Sequence, residues 1–305
     1  MDININMIMK ILVYGSNGWI GSQFMEIVKG YDIYQAKSRL DNIDDINKEL
    51  NEINPTHVFC FCGRTHGKIG DKVYTTIDYL EEEGKLVDNI RDNLFSPIIL
   101  AKLCENKGIH LTYLGTGCIF KFDEEHPFGK EINGFTENSK PNFFGSGYSI
   151  VKGFTDQMMK LFPNVLNLRI RMPIIGQPNG RNFITKISTY EKICSIPNSM
   201  TVLPELLPMA LELARQKHSG TMNFTNPGLI SHNDILEMYK EIVDPDFTWQ
   251  NFTAEEQSKI LAADRSNNYL DTTKLESFFP NIKNIRDSVR EMLEEYKNYN
   301  IHCDK

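Results

Sequence analysis

The chain has no apolar run approaching the ~18 residues that crossing a bilayer requires, and no basic stripe interrupts its net charge of −7 over 305 residues. The first absence argues against a membrane span. The second argues against nucleic acid, whose backbone is gripped by clustered Lys and Arg. A local basic pocket for a small anion remains compatible with an acidic whole. Metal spacing is missing too. The six cysteines form neither a four-ligand zinc pattern nor a disulfide framework, and read as reduced and cytosolic. Cys60 and Cys62 share a strand face and read as core packing. His66, His126 and His232 read as surface or capping residues. The opening MDININMIM lacks the basic start and cleavage site of a signal peptide, and a strand opens at Met9 in MKILVYGS. There is no internal repeat and no low-complexity linker.

What is present is alternation. KILVY, DIYQA, THVFCF, IHLTYLG and NVLNLRIR read as strands. Between them lie GSNGWIGSQFMEIVKG, IDDINKELNEI, GKLVDNIRDNLFSPIILAKLCENKG and YSIVKGFTDQMMKLF, which read as helices. Strands alternating with helices across short links predict a parallel sheet covered on both faces, a doubly wound α/β fold. After Met172-Pro173 helical segments dominate, with one strand-like return at TMNFTNPG. The expected organisation is a Rossmann domain over 1–172, with a return near 220–228, and a smaller, mainly helical substrate lobe over 173–305.

The first turn carries chemistry. Gly15-Ser16-Asn17-Gly18-Trp19-Ile20-Gly21 places three glycines at spacings of three, between a strand and a helix. Glycine permits a tight turn and close approach of backbone to a pyrophosphate, and the helix start offers free N–H groups. This predicts a dinucleotide site. Sites for NAD commonly end the second strand with an acid that accepts from the ribose 2′-OH. Here the chain reads QAKSRLDN, and no acid ends the strand. Ser38 and Arg39 stand there instead. A guanidinium suits a 2′-phosphate, so the expected cofactor is NADPH; a solvated charge cluster is the other reading. Gly63 is expected beside the cofactor, and Asn93 as a brace for the bend of the fourth strand.

Tyr148 and Lys152, four apart, share one helix face. A tyrosine titrates near ~10 unaided, and a neighbouring ammonium favours its phenolate. The same lysine suits a nicotinamide ribose. Thr116 ends the fourth strand. Cys118, two residues on, faces the same way if the strand persists. On its own it reads either as a small buried hydrophobe or as an acid-base group.

The glycine turn, Thr116 and Tyr148-x-x-x-Lys152 resemble an extended short-chain dehydrogenase/reductase. Longer blocks go further. GTGCIF, KPNFFGSGYSIVK, LRIRMPI, RNFITKISTYEKICSIPNSMTVLPELLP, NFTNPGLISHNDILEMYKEI and RSNNYLDTTKL resemble the plant-type nucleotide-rhamnose synthase/epimerase-reductase family, which is similar to dTDP-4-dehydrorhamnose reductase. The resemblance implies 3,5-epimerisation and NADPH-dependent 4-reduction of UDP-4-keto-6-deoxyglucose to UDP-L-rhamnose. It implies a nucleotide-glucose 4,6-dehydratase upstream. It places Tyr148 as proton donor, Thr116 on the ketone oxygen, and Cys118 as an epimerase acid-base group. It offers Lys186 as partner to Cys118 from the opposite side, Asn182 as a substrate-binding amide, and Arg265 at the diphosphate or near a subunit contact. A surface salt bridge is the other reading of Arg265. Apolar faces on 85–107 and 148–162 suggest a helix-paired homodimer. The segment from Arg64 to Lys85 departs from the family pattern and is expected to reshape the pocket mouth. Two rival readings are a monofunctional 4-reductase with an inert Cys118, and a non-catalytic NADP-binding regulatory subunit.

Overall fold

The computed structural model describes residues 9–303, so the expectation for the first eight residues lies outside it. In chain order, β1 (Lys10–Tyr14) turns into α1 (Trp19–Ile27) and β2 (Asp32–Gln35) into α2 (Ile43–Ile53). β3 (His57–Cys60) leads to a hairpin of β4 (Gly67–Ile69) and β5 (Lys72–Tyr74), then to a 3-10 turn at Ile77–Glu81. The helices α3 (Lys85–Ile90) and α4 (Ser96–Asn106) follow, joined by a π-helical segment at Arg91–Phe95. Next come β6 (His110–Thr116), α5 (Gly147–Met159), β7 (Val165–Ile170), β8 (Pro173–Ile174), α6 (Phe183–Thr189), β9 (Lys192–Ile193), β10 (Thr201–Val202) and α7 (Leu203–Arg215). The chain closes with β11 (Gly220–Asn223), α8 (His232–Ile242), β12 (Gln250–Asn251), α9 (Ala254–Ser258), α10 (Thr273–Phe278) and α11 (Ile285–Cys303).

Six strands form one parallel sheet, in the order β11-β7-β6-β3-β1-β2. This is the doubly wound α/β fold. Period-two alternation divides its central strands between two cores. Leu12 and Tyr14 of β1 join Val58, Cys60, Leu111 and Tyr113 under α2, α4 and α5. Ile11 and Val13 join Phe24 of α1 and Leu203, Leu207 and Leu211 of α7 on the other side. The chain runs from β1 outward to β2, then returns past β1 to β3. That reversal opens a crevice at the carboxyl ends of β1 and β3, where such sheets bind ligands.

The helix ends follow side-chain chemistry. Asn42 caps α2 by accepting from the Asp45 N–H, and the helix stops at Asn54 in a left-handed conformation, φ 49°. Ser146 caps α5, and Ser231 with Asp234 forms a capping box on α8. A third apolar cluster holds Ile174, Ile184, Ile187 and Ile193 against Ile235, Val289 and Leu293, away from the sheet. β11, within the 220–228 segment, adds the edge strand beside β7. α7 packs on β1, its row of leucines covering the apolar face of that strand. No helix among the described residues is long and apolar enough to cross a membrane.

Candidate active site

The glycine turn is built as its spacing requires. Gly15 sits at φ +78°, and a Cβ there would press on the Cys62 Sγ and the Phe61 backbone at 3.1 Å. A Cβ on Gly21 would fall 2.0 Å from the Gly15 carbonyl oxygen, so only glycine lets α1 start this close to β1. Gly18 caps α1 without any side-chain bond, leaving first-turn N–H groups open to an anion. Asn17, Gly18, Trp19, Ile20 and Gly21 line one end of a cavity of about 700 Å³. Gly63 lines it too, whereas Gly15 and Ser16 support the turn from behind.

The second strand ends differently from the expectation. An acid does stand there, supplied by α2. Glu49 accepts from the Lys37 N–H at 2.6 Å, the Ser38 hydroxyl at 2.5 Å and the Tyr14 hydroxyl at 3.1 Å. Ser38 is therefore engaged within the protein. Arg39 is exposed and holds both oxygens of Asp41, each at 3.1 Å. The sequence signal for Glu49 was its place on the α2 turn facing the strand end, which a search confined to the strand itself passes over.

At the centre, β6 delivers Thr116, whose hydroxyl oxygen accepts from the Cys118 N–H at 3.0 Å. The Ser146 cap fixes the first turn of α5, and Tyr148, Lys152, Thr116 and Cys118 all line the same cavity. Burial pushes the Tyr148 phenol up, and the nearby Cys118 adds to this; a hydrogen bond with Thr116 pulls the other way. Burial also pushes the Lys152 ammonium down, to about 8. Lys152 was expected to lower Tyr148. Its Nζ instead donates to the Tyr113 hydroxyl and lies 4.7 Å from that ring's centroid. Tyr113, inside the apolar run IHLTYL, holds Lys152 from the core without lining the cavity itself.

Two amides correct the expectations. Asn182 is fully buried and caps α6; its carbonyl oxygen accepts from the Ile175 and Ile184 N–H groups, and its Nδ2 donates to the Ile175 and Gln177 carbonyls. Nothing remains for a substrate. Asn93 braces the loop after β3 rather than the fourth strand of the sequence reading, accepting from the Arg64 N–H and donating to the Arg64 carbonyl, both at 2.9 Å. It keeps its place in the cavity wall.

Lys186 projects from α6 into the cavity, and burial, with Arg181 and Arg265 nearby, lowers its ammonium. Arg265 lines the cavity while bonding Asp78 at 2.7 Å. His66 and His232, expected as surface or capping residues, line it as well, and His232 also opens α8 just after its cap Ser231. His66 comes from the divergent segment and contacts the Arg181 guanidinium at 2.6 and 3.1 Å. Thr65, Thr75, Thr76 and Ile77 of the same segment complete this wall. Met172 follows β7 at φ 38°, a strained conformation for its side chain. Lys152, Arg171, Arg181, Lys186 and Arg265 face the cavity, and none of its lining residues is Asp or Glu. Among the described residues there is no cluster of three or more His, Cys, Asp or Glu able to hold a metal.

The parallel sheet, the glycine turn and the Thr116, Tyr148 and Lys152 group define an extended short-chain dehydrogenase/reductase. No protein-family model matches the chain. The crystal structure of the L780 UDP-rhamnose synthase from Acanthamoeba polyphaga mimivirus superposes with a TM-score of 0.90 at 51% identity, covering 94% of this chain and 99% of that one. The bifunctional dTDP-4-dehydrorhamnose 3,5-epimerase/dTDP-4-dehydrorhamnose reductase of Arabidopsis thaliana is 44% identical over 92% of this chain and 91% of its own length. A trifunctional UDP-glucose 4,6-dehydratase/UDP-4-keto-6-deoxy-D-glucose 3,5-epimerase/UDP-4-keto-L-rhamnose-reductase of the same plant is 43% identical over 92% of this chain, which spans 41% of that longer protein. The chain belongs to the family of rhamnose-forming 3,5-epimerase/4-reductases.

Proposed function

We propose that the chain converts UDP-4-keto-6-deoxyglucose to UDP-L-rhamnose, epimerising C3 and C5 and then reducing C4 with NADPH. One observation carries this reading. A single cavity joins a reductase group, Thr116, Tyr148 and Lys152, to a thiol and an amine, Cys118 and Lys186, with cations and no carboxylate around them. A carboxylate-free wall suits two diphosphates, one from each nucleotide. The uncapped α1 start and the close-packed glycines fit a dinucleotide. The residues that would hold it are Asn17 to Gly21 and Gly63, with Arg39 at the 2′-phosphate and Lys152 at the ribose. Bound NADPH supplies the hydride.

The chain's own groups then act as follows. Thr116 hydrogen-bonds the C4 ketone oxygen. The ketone makes the C3 and C5 protons acidic, because each carbanion is its enolate. Cys118 removes a proton from one face of the ring and Lys186 returns one to the other. Tyr148, held protonated by burial, gives its proton to O4 during reduction. The upstream reaction is a nucleotide-glucose 4,6-dehydration, which creates the 4-ketone. We take 1–172, with α7 and β11, as the cofactor lobe and the remainder of 173–305 as the substrate lobe. The free thiols of Cys60, Cys62, Cys104, Cys118 and Cys194 suit a reducing, cytosolic setting. Leu86, Val87, Ile90 and Phe95 lie exposed beside Phe154, Met158 and Leu161, an apolar patch suited to a homodimer.

The test is product analysis from UDP-4-keto-6-deoxyglucose and NADPH in D₂O. UDP-L-rhamnose carrying deuterium at C3 and C5 is expected. Reduction without deuterium at either carbon would leave a monofunctional reductase, and NADPH binding without turnover a regulatory subunit.

A further inference from the structure

The end of β7 buries two guanidiniums, and only one of them has a carboxylate. Arg169 bonds both oxygens of Asp156 at 2.8 Å. Arg171 is 1% exposed, and its five hydrogen bonds all reach neutral acceptors. Nε donates to the Ser199 carbonyl at 3.3 Å. Nη1 donates to the Gly117 carbonyl at 3.1 Å and the Ser266 hydroxyl at 2.9 Å. Nη2 donates to Asn198 Oδ1 at 2.7 Å and the Ser266 carbonyl at 2.9 Å. A guanidinium does not give up its proton in a protein, and enclosing a charge without a partner is costly. Neutral donors would serve the same acceptors, so the hydrogen bonds alone do not explain an arginine here.

With every N–H engaged, Arg171 has none left for a ligand phosphate. What it offers the cavity is a fixed positive field. Gly117, whose carbonyl it holds, is the chain neighbour of Cys118, and Cys118 and Arg171 line the same cavity. Other groups face the thiol as well. Tyr148 and Lys152 face it from α5, and Lys186 and Arg181 lie on the α6 side. Arg265 is offset by Asp78, and His66 and His232 complete the ionisable groups of the wall. Of the fully buried cations that line the cavity, Lys152 is a titratable amine, whereas Arg171 stays charged throughout.

We propose that Arg171 is the standing counter-charge for the thiolate of Cys118, a positioning residue that keeps the epimerase base ionised. This rests on reading Cys118 as the proton-transfer group. In the step it supports, the sulfur lone pair takes the proton from C3 or C5, and the C–H bonding pair becomes the enolate. The Lys186 ammonium then protonates that carbon from the opposite face. Both side chains regain their starting protonation by exchange with water. Negative charge moves from sulfur to the enolate oxygen, and a cation beside both stabilises each in turn.

The test is the pH dependence of Cys118 alkylation by iodoacetamide, read on its own peptide by mass spectrometry. Arg171→Gln keeps neutral donors and loses the charge; its Cys118 should alkylate about tenfold more slowly at neutral pH, a midpoint shift of about one unit. Arg171→Lys should stay near the unmodified value. NADPH binding reports whether each variant is folded. An unshifted midpoint in folded Arg171→Gln overturns the inference. Deuterium exchange that persists in Cys118→Ala would sink the proton-transfer reading instead, leaving the alkylation result to stand by itself.

Discussion

At the scale of single residues, the site separates groups that do chemistry from groups spent on holding it. Asn182, offered as a substrate-binding amide, spends its amide on backbone, and Asn93, expected as a brace, bonds the Arg64 backbone and Asn89. Asn182→Ala should destabilise the fold by about 1–3 kcal/mol, measured by urea unfolding. It should also slow proton exchange more than reduction, because it frees the helix that carries Lys186. Tyr148→Phe should cut NADPH oxidation by about 10²–10⁴-fold while deuterium still enters C3 and C5. Near-normal oxidation in that variant would remove Tyr148 from the donor role. Arg39→Ala should weaken NADPH more than NADH in a direct binding titration. Asp41 already claims that guanidinium, so equal loss for both cofactors would place Arg39 in a surface pair alone.

At the scale of elements, the sheet and most of its helices were legible because each is a local pattern. KILVY is buried along four of its five positions, and the α2 boundaries follow from Asn42, Asn54 and Pro55. Contacts between distant parts of the chain left no such trace. Glu49 reaches the end of β2 from the next helix. The π-helical segment at Arg91–Phe95 interrupts what reads as one continuous helix. The segment between β3 and α3 read only as a departure from a pattern, since its partners lie far along the chain. His66 meets Arg181, Asp78 meets Arg265, and Glu81 accepts from the Gly147 N–H at 2.8 Å. These three links tie it to both sides of the cavity. Asp78→Asn should raise KM for the nucleotide sugar roughly fivefold, the value of one half-buried ion pair, with NADPH affinity unchanged. A matching loss of NADPH affinity would mean that the segment serves the cofactor end.

At the scale of the molecule, stability should depend on two histidines. Burial pushes His57 and His232 down to about 4 from the ordinary 6.5. Between those values the unfolded chain takes up protons that the native state refuses. Stability is therefore fully present above 6.5 and falls as pH drops toward 4, by up to roughly 3 kcal/mol per histidine. Urea midpoints across this range check it, and His57→Gln should flatten the slope. The proposed homodimer is checked by analytical ultracentrifugation: a dimer mass for the unmodified chain and a monomer mass for Val87→Glu with Leu161→Glu are expected, and an unmodified chain of monomer mass would end that proposal. The carboxylate-free cavity has a consequence for the protein's lifetime. Its cations repel one another across a fixed gap, so the empty fold is loaded like a compressed spring, and an arriving anion unloads it. Nucleotides should therefore raise the melting temperature most at low salt. When both nucleotide pools run down, the idle enzyme should be the form that proteases clear first.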